Sequence, residues 1–139
     1  MSTEVDVKSI LIKDGINNND LDDTNNNIVN TVTLLEKLLK TNKNQSFSKT
    51  LVNTENNSCT MICQQPGEGN RKHYHPDWNE WWFILDGEWE FIIDGEKKII
   101  RKNDLVFIPK NTWHKITAIG NKPATRLAVS RYDVAHVYK

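Results

Sequence analysis

Short apolar runs that alternate with polar residues dominate the chain from Phe47 onward. They are bounded by Gly, Pro, Asn and Asp, which is the pattern of half-buried β-strands separated by turns. The predicted strands are 47–52, 58–65, 71–75, 80–85, 88–93, 97–101, 105–109, 113–118 and 124–130. Short strands at this close spacing predict an all-β sandwich or barrel.

Two Asp-Gly pairs predict tight hairpins. Asp86-Gly87 separates the fourth and fifth predicted strands, and Asp94-Gly95 separates the fifth and sixth. Both central residues of a type I′ turn need a positive φ, which Gly adopts without steric cost and Asp tolerates. We therefore expect these three strands to form two consecutive hairpins.

The first 46 residues follow a different pattern. Apolar positions recur at helical spacing from Ile28 to Leu39 and predict one amphipathic helix that covers the domain or a dimer seam. Before it, residues 1–26 carry six acidic residues and two lysines and are rich in asparagine. A short alternation at Val5, Val7, Ile10 and Ile12 predicts an accessory strand there. We expect an N-terminal arm and helix over 1–46 and a single barrel domain over 47–139.

Length, charge and cysteine usage narrow the function classes. The 139 residues suit one domain, and the 18 basic and 18 acidic residues cancel, so we expect neither a nucleic-acid partner nor a polybasic membrane partner. No apolar run approaches the roughly 20 residues of a membrane span, and no signal peptide is evident, which predicts a cytoplasmic protein. Cys59 and Cys63 lie about 13 Å apart on one predicted strand, too far for a disulfide. We expect two reduced thiols, with a redox or metal pair as the alternative.

The four histidines of the chain are the candidate chemistry. His73 and His75 are two residues apart on a strand, so both rings point to the same face. Glu80 begins the next strand, and His114 begins a later one, so a barrel could bring all four side chains together. Imidazoles and a carboxylate are the donor set of divalent Fe, Mn, Ni, Cu and Zn. His136 follows the last predicted strand, and we expect it in the tail or an interface, with a pocket position as the alternative.

The spacing of these residues resembles the first cupin motif, G-x5-H-x-H-x3-4-E-x6-G, at every fixed position. The matching residues are Gly67, His73, His75, Glu80 and Gly87. The second cupin motif, G-x5-P-x-G-x2-H-x3-N, is matched less completely. Its proline and histidine are Pro109 and His114.

The remaining positions of the second motif depart from the pattern. Asn103 and Asn111 replace its two glycines, and asparagine is the non-glycine residue that best tolerates the left-handed conformation. Ala118 replaces its final asparagine, so any role of that side chain behind the metal ligands is lost.

The resemblance, which covers roughly residues 47–131, implies a cupin double-stranded β-helix, a jelly-roll-like barrel, preceded by the helix and acidic arm. It also implies one divalent ion bound through the Nε2 atoms of His73, His75 and His114 and a carboxylate oxygen of Glu80. Iron is the first choice, with Mn, Ni, Cu or Zn as alternatives. Similar cupins include dioxygenases, isomerases, epimerases, decarboxylases, lyases and inert binding domains, so the fold leaves the reaction open.

Strand alternation extends the predicted pocket. Trp82 and Ile84 share a face with Glu80, and Trp82, with Trp78 at the mouth, would form an apolar wall for a substrate. The alternative is that these large side chains only fill the barrel. Arg71 and Arg126 are candidate anion anchors, although Arg71 could also face solvent.

These residues lead to a functional hypothesis. We expect a metal-dependent enzyme that acts on a small polar molecule bearing a carboxylate, in the first place an Fe(II) dioxygenase that takes substrate and O₂ at open coordination positions. One alternative is a non-oxidative isomerase or lyase, in which the metal acts as a Lewis acid and Glu80 or Tyr74 moves a proton. The other is a non-catalytic binding protein. A homodimer built with the N-terminal segments is also expected.

Overall fold

Eleven strands and one short helix make up the described part of this computed structural model, which comprises residues 2–4, 31–41, 45–131 and 134–139. The helix is α1 (Leu35–Thr41). The strands are β1 (Ser2–Glu4), β2 (Phe47–Asn53), β3 (Ser58–Gln64), β4 (Gly69–Tyr74), β5 (Glu80–Asp86), β6 (Glu88–Ile93), β7 (Glu96–Arg101), β8 (Leu105–Ile108), β9 (His114–Ile119), β10 (Ala124–Ser130) and β11 (His136–Tyr138).

The strands form two antiparallel sheets that enclose one core. One sheet has the order β1-β11-β4-β9-β6-β7, and the other has the order β2-β3-β10-β5-β8. Alternate side chains from both sheets point inward, as the pleat of a strand requires. They form the buried cluster Ile62, Trp82, Ile84, Trp89, Phe91, Ile100, Val106, Ile108, Ile116, Ala118, Ala124 and Ala128. The predicted all-β double-stranded β-helix is confirmed.

The two Asp-Gly pairs have different roles. Asp94 (φ 47°) and Gly95 (φ 81°) join β6 to β7 in the predicted hairpin. The hairpin predicted at Asp86-Gly87 is wrong, because β5 and β6 belong to different sheets and the chain crosses between them at Gly87. Gly87 does have the positive φ that the turn pattern predicts (77°). The topology, however, is decided by the long-range pairing of β5 with β10 and β8.

The two asparagines of the second motif adopt the conformation expected of them. Asn103 has φ 74° and Asn111 has φ 63°, both in the left-handed region. The backbone N–H of Asn111 donates to the carbonyl of His75 at 2.7 Å, which ties the turn before β9 to the chain that leaves β4. This turn therefore helps to position two of the predicted metal ligands.

The helix is shorter than predicted. Residues 28–30 lie outside the described part, and 31–34 are not helical, so α1 begins at Leu35. The β-branched residues Val32 and Thr33 precede it, and such residues favour a helix less than Leu, Glu or Lys. The apolar side of α1 packs on the outer face of the second sheet, against Phe47, Leu51, Met61 and Cys63. The helix thus covers the domain, one of its two expected roles.

Three further sequence expectations concern the cysteines, the N-terminal arm and the membrane. Cys59 and Cys63 are free thiols, as expected, and burial raises the pKa of each. The predicted accessory strand at Val5, Val7, Ile10 and Ile12 falls outside the described residues. No helix in the described ranges has the length and apolar character needed to cross a membrane. The cytoplasmic location stays a prediction.

Candidate metal centre

Three strands bring the four histidines to one place inside the barrel. His73 is the one buried residue of β4, His75 follows that strand, His114 begins β9 and His136 begins β11. His73 lies directly opposite His114 in the β4–β9 pairing, and their ring centroids are 4.3 Å apart. The His75 ring lies 4.9 Å from His73 and 4.5 Å from His136. All four imidazoles therefore belong to one cluster.

Backbone carbonyls fix the orientation of every ring in this cluster. The Nδ1 atoms of His73, His75, His114 and His136 lie 2.6, 3.0, 2.9 and 3.1 Å from the carbonyl oxygens of Arg71, Ala135, Thr112 and Val134. A carbonyl can only accept, so Nδ1 carries the hydrogen and donates it. In the neutral ring the lone pair then lies on Nε2, which is the arrangement that metal-ligating histidines adopt.

Glu80 is held between a histidine and an indole. Its Oε1 lies 2.8 Å from Nε2 of His75, and its Oε2 accepts a hydrogen bond of 2.7 Å from Nε1 of Trp82. Trp82 is two residues along β5 from Glu80 and shares its inward face. The residue predicted as a substrate wall is therefore also the group that orients the carboxylate.

The charges of this pair reinforce each other. Burial alone would raise the pKa of Glu80, but the hydrogen bond and charge of His75, the charge of His114 and the Trp82 donor hold it well below its usual range. Burial alone would lower the pKa of His75, but Glu80 and the Ala135 carbonyl outweigh it and raise this pKa. Glu80 is thus an anion next to an imidazole that readily accepts a proton.

The other three imidazoles are kept neutral. Burial, followed by the charges of the neighbouring histidines, lowers the pKa of His73 well below its ordinary value. Burial also lowers the pKa of His114. Burial and the charge of His75 lower the pKa of His136 to about 4. Neutral rings with lone pairs on Nε2 are the form in which histidine binds a metal.

The geometry of the donor atoms fits a metal ion. They form two groups that share His75, namely His75 with Glu80 and His114, and His73 with His75 and His136. Within each group the donor atoms lie within 4.8 Å of one another. Opposite ligands of one ion lie about 4.0–4.4 Å apart when each bond is about 2.0–2.2 Å, so the two distances are comparable.

A buried histidine nitrogen without a hydrogen-bond partner also favours an ion at this place. Nε2 of His114 is buried, and no hydrogen-bond partner reaches it within the described ranges. A buried acceptor without a partner is costly, and a cation bound between the imidazoles and Glu80 would satisfy it. The described structure thus brings together His73, His75, Glu80 and His114, and adds His136.

Two predicted anion anchors lie beside this cluster. Arg126 is 2% exposed, and its guanidinium donates to Gln64 Oε1 at 2.9 Å and to Asn70 Oδ1 at 2.6 Å. It also stacks over Trp82 at 5.1 Å. The guanidinium of Arg71 lies 4.4 Å over the ring of Tyr138, which in turn lies 5.4 Å from His73. Ile84, predicted on the same wall as Trp82, is fully buried in the core.

Two predicted site residues point elsewhere. Tyr74 follows His73 in β4 and so projects from the opposite face, where its ring lies 4.7 Å from Trp113. Its predicted proton-transfer role is therefore wrong. Trp78 lies in a surface hollow beside Trp81, with the guanidinium of Arg131 at 4.8 Å over its ring. Because Trp81 is on the outer face of β5, Trp78 does not line the histidine cluster.

His136 takes the alternative position that the sequence left open for it. It does not lie in a free tail or an interface, because β11 pairs with β4 and places the ring beside His73 and His75. The alternation of His136 and Tyr138 around Val137 is typical of a strand, but three residues are too few to predict one from the sequence.

Comparison with known proteins places the chain in a family. Residues 60–130, just over half of the chain, match the family model described as the cupin domain. The fold and the two motifs agree with this match, and the protein belongs to the cupin domain family. No functionally curated protein matches the chain.

Solved structures with the same fold are only distantly similar in sequence. An uncharacterized conserved protein with a double-stranded β-helix domain from Klebsiella pneumoniae has a TM-score of 0.66 at 14% identity, covering 78% of this chain and 90% of its own. A predicted oxalate decarboxylase from Thermotoga maritima has a TM-score of 0.57 at 23% identity, covering 65% and 86%. KdgF from a Halomonas species has a TM-score of 0.56 at 19% identity, covering 60% and 76%. These likenesses establish the fold alone.

Proposed function

We propose that this cupin is a metal-dependent enzyme that acts on a small molecule bearing a carboxylate. The observation that carries the proposal is the convergence of the histidine donor atoms and a Glu80 carboxylate oxygen within the barrel. A barrel that served only as a scaffold would bury apolar side chains at these positions, because buried polar groups without partners are costly.

His73, His75, His114 and Glu80 would hold the ion. Imidazole and carboxylate donors suit Fe(II) first, with Mn, Ni, Cu and Zn as alternatives. When bound, the ion would supply a Lewis acid and, as iron, one-electron chemistry with O₂. Glu80 is the remaining candidate for moving a proton, and the indole of Trp82 would keep its carboxylate oriented while it does so.

The preference for an anion comes from the arginines. Arg126 places a permanent positive charge in the buried interior, close enough that its charge contributes to the low pKa of His114. Arg71 places a second guanidinium beside Tyr138. A carboxylate would be neutralised by either group, while Trp82 and Ile84 would contact the apolar part of the same molecule.

Oxygen dependence separates the candidate reactions. Protein loaded anaerobically with Fe(II) would be mixed with a panel of small carboxylic acids, including oxalate because a structural neighbour is described as a predicted oxalate decarboxylase. Acid-dependent O₂ consumption supports the dioxygenase. Turnover without O₂ supports the non-oxidative isomerase or lyase. Metal-dependent binding of an acid without any turnover supports a non-catalytic binding protein and contradicts the proposed enzyme.

We also propose that the protein forms a homodimer, through the outer face of β5 and β8 instead of the N-terminal segments. The described N-terminal strand β1 pairs with β11 of its own chain, and α1 packs on its own sheet. In contrast, Trp81, Leu105 and Phe107 are 42%, 67% and 59% exposed on neighbouring strands. The edge strand β8 has one neighbour within the described sheet, so two copies could pair around a twofold axis.

Sedimentation at tens of micromolar tests this assembly. A dimer in the wild type that Phe107→Glu converts to a monomer supports the proposed face. A monomeric wild type contradicts the dimer, and a dimeric Phe107→Glu variant contradicts the face.

A further inference from the structure

We propose that His136, which lies outside both cupin motifs, is an additional ligand of the same metal ion, and that the ion thereby fastens β11 to the barrel. The inference rests on the proposed metal site and deepens it. It assigns a metal-binding role to a residue that the motifs do not include.

The first argument is the position of the His136 ring. Its centroid lies 4.5 Å from that of His75 and 5.0 Å from that of His73. The three side chains form one of the two donor groups in which every donor atom lies within 4.8 Å of the others. His75 also belongs to the other group, with Glu80 and His114. An ion bound by His75 is therefore within reach of His136.

The second argument is the tautomer. Nδ1 of His136 donates to the carbonyl of Val134 at 3.1 Å, so in the neutral ring the lone pair lies on Nε2. His73, His75 and His114 are fixed in the same way by backbone carbonyls. A histidine that only packed against Tyr138, on which this ring stacks, would not need the orientation shared by the three predicted ligands.

The third argument is the weak attachment of β11. This three-residue strand pairs with β4 at two positions and with β1 at three. In the described structure β1 in turn pairs only with β11, at the edge of the sheet. A bond from the ion to His136 would therefore hold residues 134–139 and the first strand in place. Removing the metal should loosen both segments.

The additional ligand also bears on the reaction. If all five side chains bound the ion, one position of a six-coordinate ion would remain for another ligand. Ligands that bind the metal through a single atom would then be favoured. Simultaneous binding of substrate and O₂ would be disfavoured, which supports the non-oxidative alternative.

A copper-binding experiment tests the inference without an activity assay. Wild type, His136→Gln, His136→Ala and Val137→Ala would each be loaded with Cu²⁺, and the coordinated imidazoles counted by pulsed electron paramagnetic resonance. Calorimetry with Zn²⁺ would give the affinities. Val137 lies on the same strand with its side chain on the other face, so its variant controls for altered β11 packing.

We expect both His136 variants to lose one coordinated imidazole and to bind Zn²⁺ at least about tenfold more weakly. Changing a residue that only hydrogen-bonds a metal ligand already weakens metal binding by about this factor. Val137→Ala should bind as the wild type does. Hydrogen exchange of residues 134–139 should slow on metal binding in the wild type and remain unchanged in His136→Gln.

The failures of the two proposals are distinguishable. An unchanged imidazole count and affinity in both His136 variants would overturn the role of His136 and leave the other ligands standing. A wild type that takes up no metal would overturn the metal site and this inference together. Weaker binding in Val137→Ala equal to that in His136→Gln would also overturn the inference, because the loss would then come from strand packing.

Discussion

The hydrogen bond from Trp82 to Glu80 gives the sharpest quantitative prediction. Nε1 of Trp82 lies 2.7 Å from Oε2 of a carboxylate that we propose as a metal ligand. A hydrogen bond to a charged group contributes about 1.5–3 kcal/mol, and at about 1.4 kcal/mol per decade this equals roughly 10–150-fold in affinity. We therefore expect Trp82→Phe, which keeps an aromatic ring but removes the donor, to weaken Zn²⁺ binding by this factor in a calorimetric titration.

Trp89 provides the matched control. It is fully buried in the same core, and the guanidinium of Arg126 lies over both indoles, at 5.1 Å for Trp82 and 4.6 Å for Trp89. Nε1 of Trp89 is buried with no hydrogen-bond partner in the described part of the chain. Both Trp→Phe variants should lower the free energy of unfolding by about 0.5–3 kcal/mol, but Trp89→Phe should leave the Zn²⁺ affinity unchanged. Equal affinity losses in the two variants would refute the reasoning.

Three further predictions follow from single residues. Gly87→Ala should lower the free energy of unfolding in urea more than Gly95→Ala does. A Cβ at Gly87 would lie 2.5 Å from the Cα of Ala124, whereas a Cβ at Gly95 would have no atom within 4 Å. Both variants should lose roughly 1–2 kcal/mol because both positions have a positive φ. Equal losses in the two variants would contradict the additional cost expected at Gly87. The metal-free protein should lose stability from pH 6.5 towards pH 4, because His136 takes up a proton in this range in the unfolded state but not in the folded state. His136→Gln should remove about 3 kcal/mol of that loss, and an unchanged pH profile would count against it. Arg71→Ala should weaken binding of a carboxylate ligand roughly 10–150-fold with metal occupancy unchanged, whereas unaltered binding would exclude Arg71 as an anchor.

Local chemistry explains what the sequence could predict. Alternation placed Glu80, Trp82 and Ile84 on one inward face, and the structure confirms this because the pleat alone decides it. The conformations of Asn103 and Asn111 were equally local, since they depend on the tolerance of asparagine for positive φ. The His-x-His spacing likewise put His73 and His75 into the same interior.

Long-range pairing explains what the sequence could not predict. Asp86-Gly87 has the composition of a hairpin turn, yet the neighbours of β5 are β10 and β8, which no local pattern specifies. His136 enters the site only because a three-residue strand pairs with β4, about 60 residues earlier in the chain. Tyr74 was placed near the chemistry by its neighbours in sequence, although a strand turns adjacent side chains to opposite faces.

Metal content tests the central claim most directly, and His75 is the residue to change because it belongs to both donor groups. Wild type and His75→Ala would be purified without added metal, exchanged with a divalent ion and analysed by mass spectrometry of the metal, with circular dichroism as the check on folding. The account predicts about one ion per chain in the wild type and little in a folded His75→Ala variant. A wild type that stays metal-free, or a variant that keeps full occupancy, would contradict it.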